Sequence, residues 1–271
     1  MGTSVTKEQV LYAIKQRRSN ALLFLLTLLL TTLSGNGVWA ETPATAPTQL
    51  KNLLTQVETA ANRHEVKAVM GFYSPTFTNS DGLNRTAVEK GLTQLWQRYP
   101  QLNYRTELQS WQPQGNGFVA ETLTYITGSQ QRDGRNMKFD GTMRSRQHFS
   151  NGKIVRQEIL SERTQLSTGK KPPTVEVNLP EQVRPGQQYN FEAIVKEPIG
   201  DDVLLGAAVE DQVRTTAYTQ PKSYELEPLA AGGIFKVGKA PRKLGNYWVS
   251  AVLIRADGVT IVTRRLKVVN N

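Results

Sequence analysis

Apolar positions along this chain change period several times, and each change marks a different kind of element. From Leu50 they recur at helical spacing: Leu50, Leu53, Leu54, Val57, Ala60 and Ala61 line one side of a helix with polar residues between them. Val66, Val69, Met70, Phe72 and Tyr73 continue as a shorter helix, which must stop near Ser74 because Pro75 disfavours helical geometry in the residue before it. Asn84 caps a third helix carrying Val88, Leu92, Leu95 and Trp96, and Pro100 closes it. Three helices are thus expected before any strand.

From Leu102 the period becomes two. Leu102–Trp111, Phe118–Thr127, Met137–Ser150 and Ile154–Arg163 read as long strands of an antiparallel meander, with turns at Gly115–Gly117, Asp133–Gly134 and Asn151–Gly152. On the third of these, Met137, Phe139, Gly141, Met143 and Phe149 share one parity, while Lys138, Asp140, Arg144, Arg146 and His148 share the other. The apolar parity must face the helices. Residues beyond 173 read as short strands punctuated by Gly and Pro: Val175–Leu179, Tyr189–Val195, Val203–Val209, Ile234–Val237, Tyr247–Ile254 and Val259–Val269, the last two joined by a tight turn at Asp257–Gly258. Between the two patterns lies Ser167–Pro173 (STGKKPP), whose paired prolines favour an extended linker.

The first forty residues read as an address. Lys15, Arg17 and Arg18 precede the apolar stretch Ala21–Leu33, and Val38-Trp39-Ala40 places small residues where a leader peptidase requires them, with cleavage before Glu41. The reading is a signal peptide over residues 1–40 and export by the general secretory route to a periplasm, a thylakoid lumen or the exterior, the membrane being met only through the uncleaved leader. Glu41–Pro47 is a short Pro/Thr linker, residues 48–166 the helix-and-meander domain, residues 167–173 the second linker and residues 174–271 the all-β domain.

Composition then narrows the chemistry. The chain has no cysteine and two histidines, His64 and His148, which removes thiolate metal sites, iron–sulfur clusters and cysteine nucleophiles and makes a histidine zinc site improbable. The expectation is no cofactor and no metal. Asp201 with Asp202 and Glu210 with Asp211 lack calcium-loop spacing. Charge is +10 from 33 basic and 23 acidic residues, spread without a long run of one sign, so no nucleic-acid partner is expected.

An amphipathic helix, a short helix ending in FYSPTF, a third helix and a meander ending in NGKIVRQEILSE resemble the NTF2-like superfamily, which includes SnoaL-like proteins and ketosteroid isomerase. The resemblance covers Gln49–Leu166 and is concentrated in Val66–Phe77 and Asn151–Ser161. It implies a cone of three helices on a curved antiparallel sheet enclosing a pocket, and a homodimer as one use of the outer sheet face. In the second domain, LGNYWV (Leu244–Val249) resembles the tyrosine corner of immunoglobulin-like domains, with Val249 where antibody domains place a cysteine. The expected fold class is therefore α+β, an NTF2-like cone followed by an all-β immunoglobulin-like sandwich.

The interior of such a cone would be lined by Tyr73, Trp96, Tyr104, Phe139, Met143 and Gln157, with Tyr125 a further donor and Ser145, Gln147, Val155 and Ile159 also inward. An isomerase or dehydratase would need a carboxylate or His base there beside a Tyr donor, yet Glu121, Asp140 and His148 fall on the polar parity, so no catalytic residue is assigned. The outward face carries Arg105, Arg144, Arg146 and Arg156 among Glu107, Glu121 and Glu158. It is either a solvated face of cross-strand ion pairs or a contact surface for a second copy, the other domain or an envelope partner. Alternation assigns Phe235 and Trp248 to the core. The function expected is non-catalytic binding, of a small apolar or amphipathic ligand in the cone or of a protein or envelope polymer on the surfaces. Isomerase or dehydratase activity and a structural assembly factor are the alternatives.

Overall fold

A computed structural model describes residues 40–132, 134–198, 200, 202–214, 225–229, 232–255 and 258–270. The leader pattern lies outside them, and no helix among the described residues is long and apolar enough to cross a membrane. Ala40–Asn271 forms one compact unit. Its elements are α1 (Thr48–Asn62), α2 (Val66–Gly71), β1 (Tyr73–Asn79), α3 (Arg85–Arg98), β2 (Leu102–Gln114), β3 (Gly117–Arg132), β4 (Arg135–Ser150), β5 (Lys153–Gly169), β6 (Val175–Asn178), β7 (Gln182–Val183), β8 (Gln188–Val195), β9 (Leu204–Gln212), β10 (Glu227–Pro228), β11 (Gly233–Lys239), β12 (Gly245–Arg255) and β13 (Gly258–Val268). Asn84 caps α3 as expected, its side chain accepting from the Ala87 amide at 2.9 Å.

The expected fold class is overturned. With 58% strand against 18% helix, the described residues are sheet-dominated, and a ten-stranded sheet runs in the order β10-β9-β12-β13-β5-β4-β3-β2 through both halves of the chain. An α+β cone followed by a separate sandwich does not describe it. β5 is the reason: it continues through Ser167–Gly169 and pairs with β4 on one side and, over Arg163–Gly169, with β13 on the other. A strand also intervenes among the helices. Tyr73–Asn79 runs parallel to β5, with a register shift between Tyr73 and Thr78 that accommodates Pro75, which has no amide to donate.

This single sheet buries opposite faces in its two halves. The paired row Leu102–Gly128–Phe139–Leu166–Ile261–Val252–Ala207 crosses seven strands. At its β2 and β4 end, Leu102 and Phe139 pack with Trp96, Val69 and Ala60 of the helices. The adjacent row, Thr127–Asp140–Gln165–Val262–Ala251–Ala208, is polar over β4 and β5 but at Val262 and Ala251 enters the core shared with Val175, Phe191 and Ile234 of a second sheet, β11-β8-β6. Helices cover one face of the sheet; a three-stranded sheet covers the other.

Edge β2 is sealed by side chains. From α1, Glu58 accepts the Thr106 amide (2.6 Å), while the Asn62 amide group both accepts from the Tyr104 N–H (2.7 Å) and donates to the Tyr104 carbonyl (2.9 Å). His64, held at φ 54° just past the helix, donates Nε2–H to the Leu102 carbonyl at 2.8 Å. Further along, Glu41 pairs with Trp111 through both backbone groups. These groups satisfy the row of edge amides and carbonyls on which another strand would otherwise assemble. His64 thus works as an edge cap beside Trp96, not as a solvated helix end.

On its inner side β5 holds two strands of opposite direction, parallel β1 up to Gln157 and antiparallel β13 from Arg163. Asp81, in the turn after β1, sits in the fork between them. Both of its carboxylate oxygens bind Arg265 of β13 (2.8 and 2.9 Å), whose guanidinium also donates to Glu162 of β5 at 2.7 Å. Asn246 and Trp248 of β12 donate to Asp81 (2.8 Å) and Glu162 (3.1 Å). The Arg265 and Asp81 side chains are 1% and 0% exposed. Removing one partner of a buried ion pair strands the other's charge, so Arg265→Ala is expected to cost about 3–5 kcal/mol in denaturant unfolding. A loss below about 1 kcal/mol would show that the fork closes without it.

Candidate functional site

Four of the six interior candidates meet in one core. Tyr73, Trp96, Tyr104 and Phe139 pack with Val69, Leu102 and Ile126. The Trp96 indole N–H donates to the Tyr104 hydroxyl at 2.7 Å, their rings edge to face, and Tyr73 stands edge-on to Phe77 at 4.8 Å. Tyr99 covers Phe139 at 5.6 Å. Where Tyr99, Leu102, Gly128, Met137, Phe139 and Leu166 converge, the space left is about 10 Å³, no more than a single water needs. A side chain at Gly128 would meet the Gln101 carbonyl at 2.8 Å. The other two candidates lie elsewhere: Met143 pairs with Glu162 in the ladder, and buried Gln157 accepts a hydrogen bond from Asn79.

The expected parity holds along β4, where Phe139 and Phe149 face the helices. Along β5 it is broken by two bulges, at Arg144/Ser145 and at His148/Phe149. As a result Ile154, 1% exposed, is the inward residue in place of Val155, and Glu162 turns to the inner face opposite Met143. Alternation continued from Ile159 would send Glu162 outward, which is why sequence reasoning missed it. Arg265 falls on the polar parity of β13 and Asp81 in a turn, so no local signal marked either as buried. Both carboxylates are bound to Arg265.

On the outer face, charges alternate across the strands. Glu121 accepts from Arg144 at 2.7 Å and from Arg146 at 2.6 and 3.1 Å; Arg146 reaches Glu158 at 3.4 Å, and Lys267 lies 3.6 Å from the same carboxylate. Partial burial raises the Glu121 pKa, but the hydrogen bonds and charges of Arg146 and Arg144 outweigh it and hold the group below the usual carboxylate range. His148, bonded to Gln114 at 2.9 Å, is lowered by burial first and then by Arg156 and Arg146. Asp140 pairs with Arg163 at 3.0 Å, and Arg105 pairs with Glu107 while its guanidinium lies 4.1 Å from the centre of the Tyr125 ring. Arg156 is exposed and makes no ion pair among the described residues. On this face the three guanidinium groups of Arg144, Arg146 and Arg156 stand around the two carboxylates of Glu121 and Glu158.

In the C-terminal half, Tyr247 donates to the Lys243 carbonyl at 3.0 Å and Val249 is buried. Phe235 departs from expectation: it is 51% exposed. Trp248 is half-buried against Glu162. Asp202 pairs with Arg255 and Glu210 accepts from Tyr189, which accounts for two of the four acidic residues weighed for calcium; Asp201 lies outside the described residues.

A family model described as a domain of unknown function (DUF8623) matches residues 170–269, beginning one residue after β5 ends. No curated protein matches the chain. Solved structures it is similar to include Bd1075 of Bdellovibrio bacteriovorus (17% identity, TM-score 0.30, 41% of this chain and 39% of that one), so the chain spans about two-fifths of that protein's length. An NTF-2 like protein of unknown function from Burkholderia xenovorans has 18% identity and TM-score 0.25 over 41% of this chain and 80% of that one. AclR, a putative hydroxylase from Streptomyces galilaeus, has 15% identity and TM-score 0.30 over 40% and 85%. The solved structures it is similar to are thus NTF2-like and cystatin-like proteins covering about 40% of the chain. No residue role is carried over from them.

Burial pushes the phenols of Tyr73 and Tyr104 up to about 12, the Trp96 bond opposing it at Tyr104. Above the ordinary phenol value of about 10, an unfolded chain loses these protons while the folded one keeps them. Stability from this source is therefore complete below pH 10 and is lost as the pH rises toward 12. Absorbance titration at 295 nm should show at least two tyrosines ionising only with this loss of structure; early, reversible ionisation of every tyrosine would contradict the packing.

Proposed function

We propose that this chain is an exported, non-catalytic binding protein that holds a polyanionic envelope component on its outer sheet face, around Arg144, Arg146 and Arg156. The observation that carries the reading is the guanidinium cluster of the outer face, where Arg144 and Arg146 converge on Glu121 and Arg156 stands exposed without an ion pair among the described residues. Inside, the Tyr104 hydroxyl accepts the Trp96 N–H within a packed aromatic core. Outside, an exposed Arg156 and a cluster with more guanidinium than carboxylate supply an electrostatic footprint. Export is supported by the Lys15/Arg17/Arg18 flank, the Ala21–Leu33 stretch and Val38-Trp39-Ala40. After cleavage the chain keeps 29 basic and 22 acidic residues, a net charge that favours anionic surfaces.

The test is affinity for dextran sulfate as a function of salt. Arg144→Glu with Arg156→Glu should weaken binding about tenfold or more at low ionic strength and flatten its salt dependence; Arg144→Glu also sets a carboxylate against Glu121, so Arg156→Glu alone, at an exposed side chain, is the variant whose melting temperature should hold. Unchanged affinity in the double variant, or a small molecule carried inside the purified protein in native mass spectrometry, would overturn the reading.

A further inference from the structure

One side chain able to gain a proton near neutral pH stands among the arginines of the outer face. His148 lies directly across the β4–β5 ladder from Arg156 and two residues along β4 from Arg146, on the same face. Directly opposed side chains have Cβ atoms about 5 Å apart, and alternate residues of a strand are about 7 Å apart. A single anionic group can therefore reach the imidazole and a guanidinium together.

The bonding of the ring fixes where a proton enters. Nδ1 lies 2.9 Å from the Gln114 side-chain oxygen. An amide oxygen only accepts, so Nδ1 carries the hydrogen and Nε2 the lone pair. Among the described residues Nε2 has no hydrogen-bond partner. Protonation there leaves the Gln114 bond intact and creates a new charged donor.

The neighbours resist that proton. Burial first, then Arg156 and Arg146, hold the His148 pKa below the ordinary histidine value, with Glu158 of β5 opposing them. Across β3 the ring faces apolar Val119, and Glu121, one pair further along, is already bound to Arg144 and Arg146. Lys153, further along β5, is turned to the Gly71 carbonyl. An anion placed on this face offsets the guanidinium charge and so favours the imidazolium.

We propose that His148 is a further contact residue of the anion-binding face and makes its hold on a polyanion tighten as the pH falls, the proton entering at Nε2 and the N–H so formed donating to an anionic oxygen of the bound polymer. The inference rests on the outer face being the binding site proposed above. Its sign follows from linkage: the complex takes up the proton at a higher pH than the free chain, so affinity rises as the pH drops through that interval.

The test measures dextran sulfate affinity at about pH 7.5 and about pH 5.5 at one ionic strength, a range in which sulfate groups keep their charge and ordinary carboxylates stay ionised. The native chain should bind about threefold or more tighter at the lower pH. His148→Gln should match it at the higher pH and lose most of that gain. In ring spectra of the native chain, the His148 titration midpoint should move up by about 0.5 or more when the polymer is present, while His64, bonded to the Leu102 carbonyl at the β2 edge, should not move. An equal gain in His148→Gln, or a His148 midpoint indifferent to the polymer, would overturn this inference and leave the arginine face standing. Absence of binding by the native chain at both pH values would overturn both readings. The ring titration needs no variant, so it decides even where His148→Gln does not fold.

Discussion

Arg265 is the residue on which the architecture turns. β5 must accept a parallel neighbour along its first part and an antiparallel one along its last, and two such strands cannot meet end to end without leaving a wedge. Asp81 and Glu162 occupy that wedge, and the guanidinium between them satisfies both while Asn246 and Trp248 take remaining acceptor positions. Charges buried this deeply are costly to desolvate and are tolerated only when densely hydrogen-bonded. Apolar packing would fill the same volume, but it would not tie one residue of β13 to one turn after β1. The bidentate geometry does.

Once that register is set, the exchange of buried faces follows. The paired rows that cross β5 continue without interruption into β13 and β12, so the face that the helices cover in the first half is not the one that meets the second sheet. The row containing Ile261, Val252 and Ala207 is moderately apolar, whereas its neighbour containing Val262 and Ala251 is fully buried against the second sheet. A chain of this size thus keeps two cores, one on each side of a shared sheet, in place of one core that would have to grow across both.

Much of this was legible locally and little of it globally. Helical periodicity located α1 and α3, the Asn84 cap and the inward parity of β4, because each depends on residues within a turn or a strand. The linker reading of STGKKPP rested on its prolines; Ser167–Gly169 are nevertheless strand, since pairing with β13, ninety residues later, outweighs local composition. β1 escaped notice because Pro75 argues against a strand in isolation and is admitted only at a register shift. The buried ionic cluster was invisible for the same kind of reason: Asp81, Glu162 and Arg265 are unremarkable in their own windows and become a site only when three distant segments converge. Phe235 failed in the opposite sense, since alternation identifies a face but not whether anything covers it.

The contrast between interior and surface decides where recognition can reside. Opening a pocket in the helical half would have to separate Trp96 from Tyr104, stranding an indole N–H in an apolar setting, and an unsatisfied buried donor costs about 1–3 kcal/mol before any ligand contact is made. The surface imposes no such penalty. Arg156 is exposed, and no buried donor has to be uncovered to reach it. On the outer face the spacing of the guanidinium groups is set by the strand repeat, which fixes Arg144 and Arg146 on β4 and Arg156 on β5.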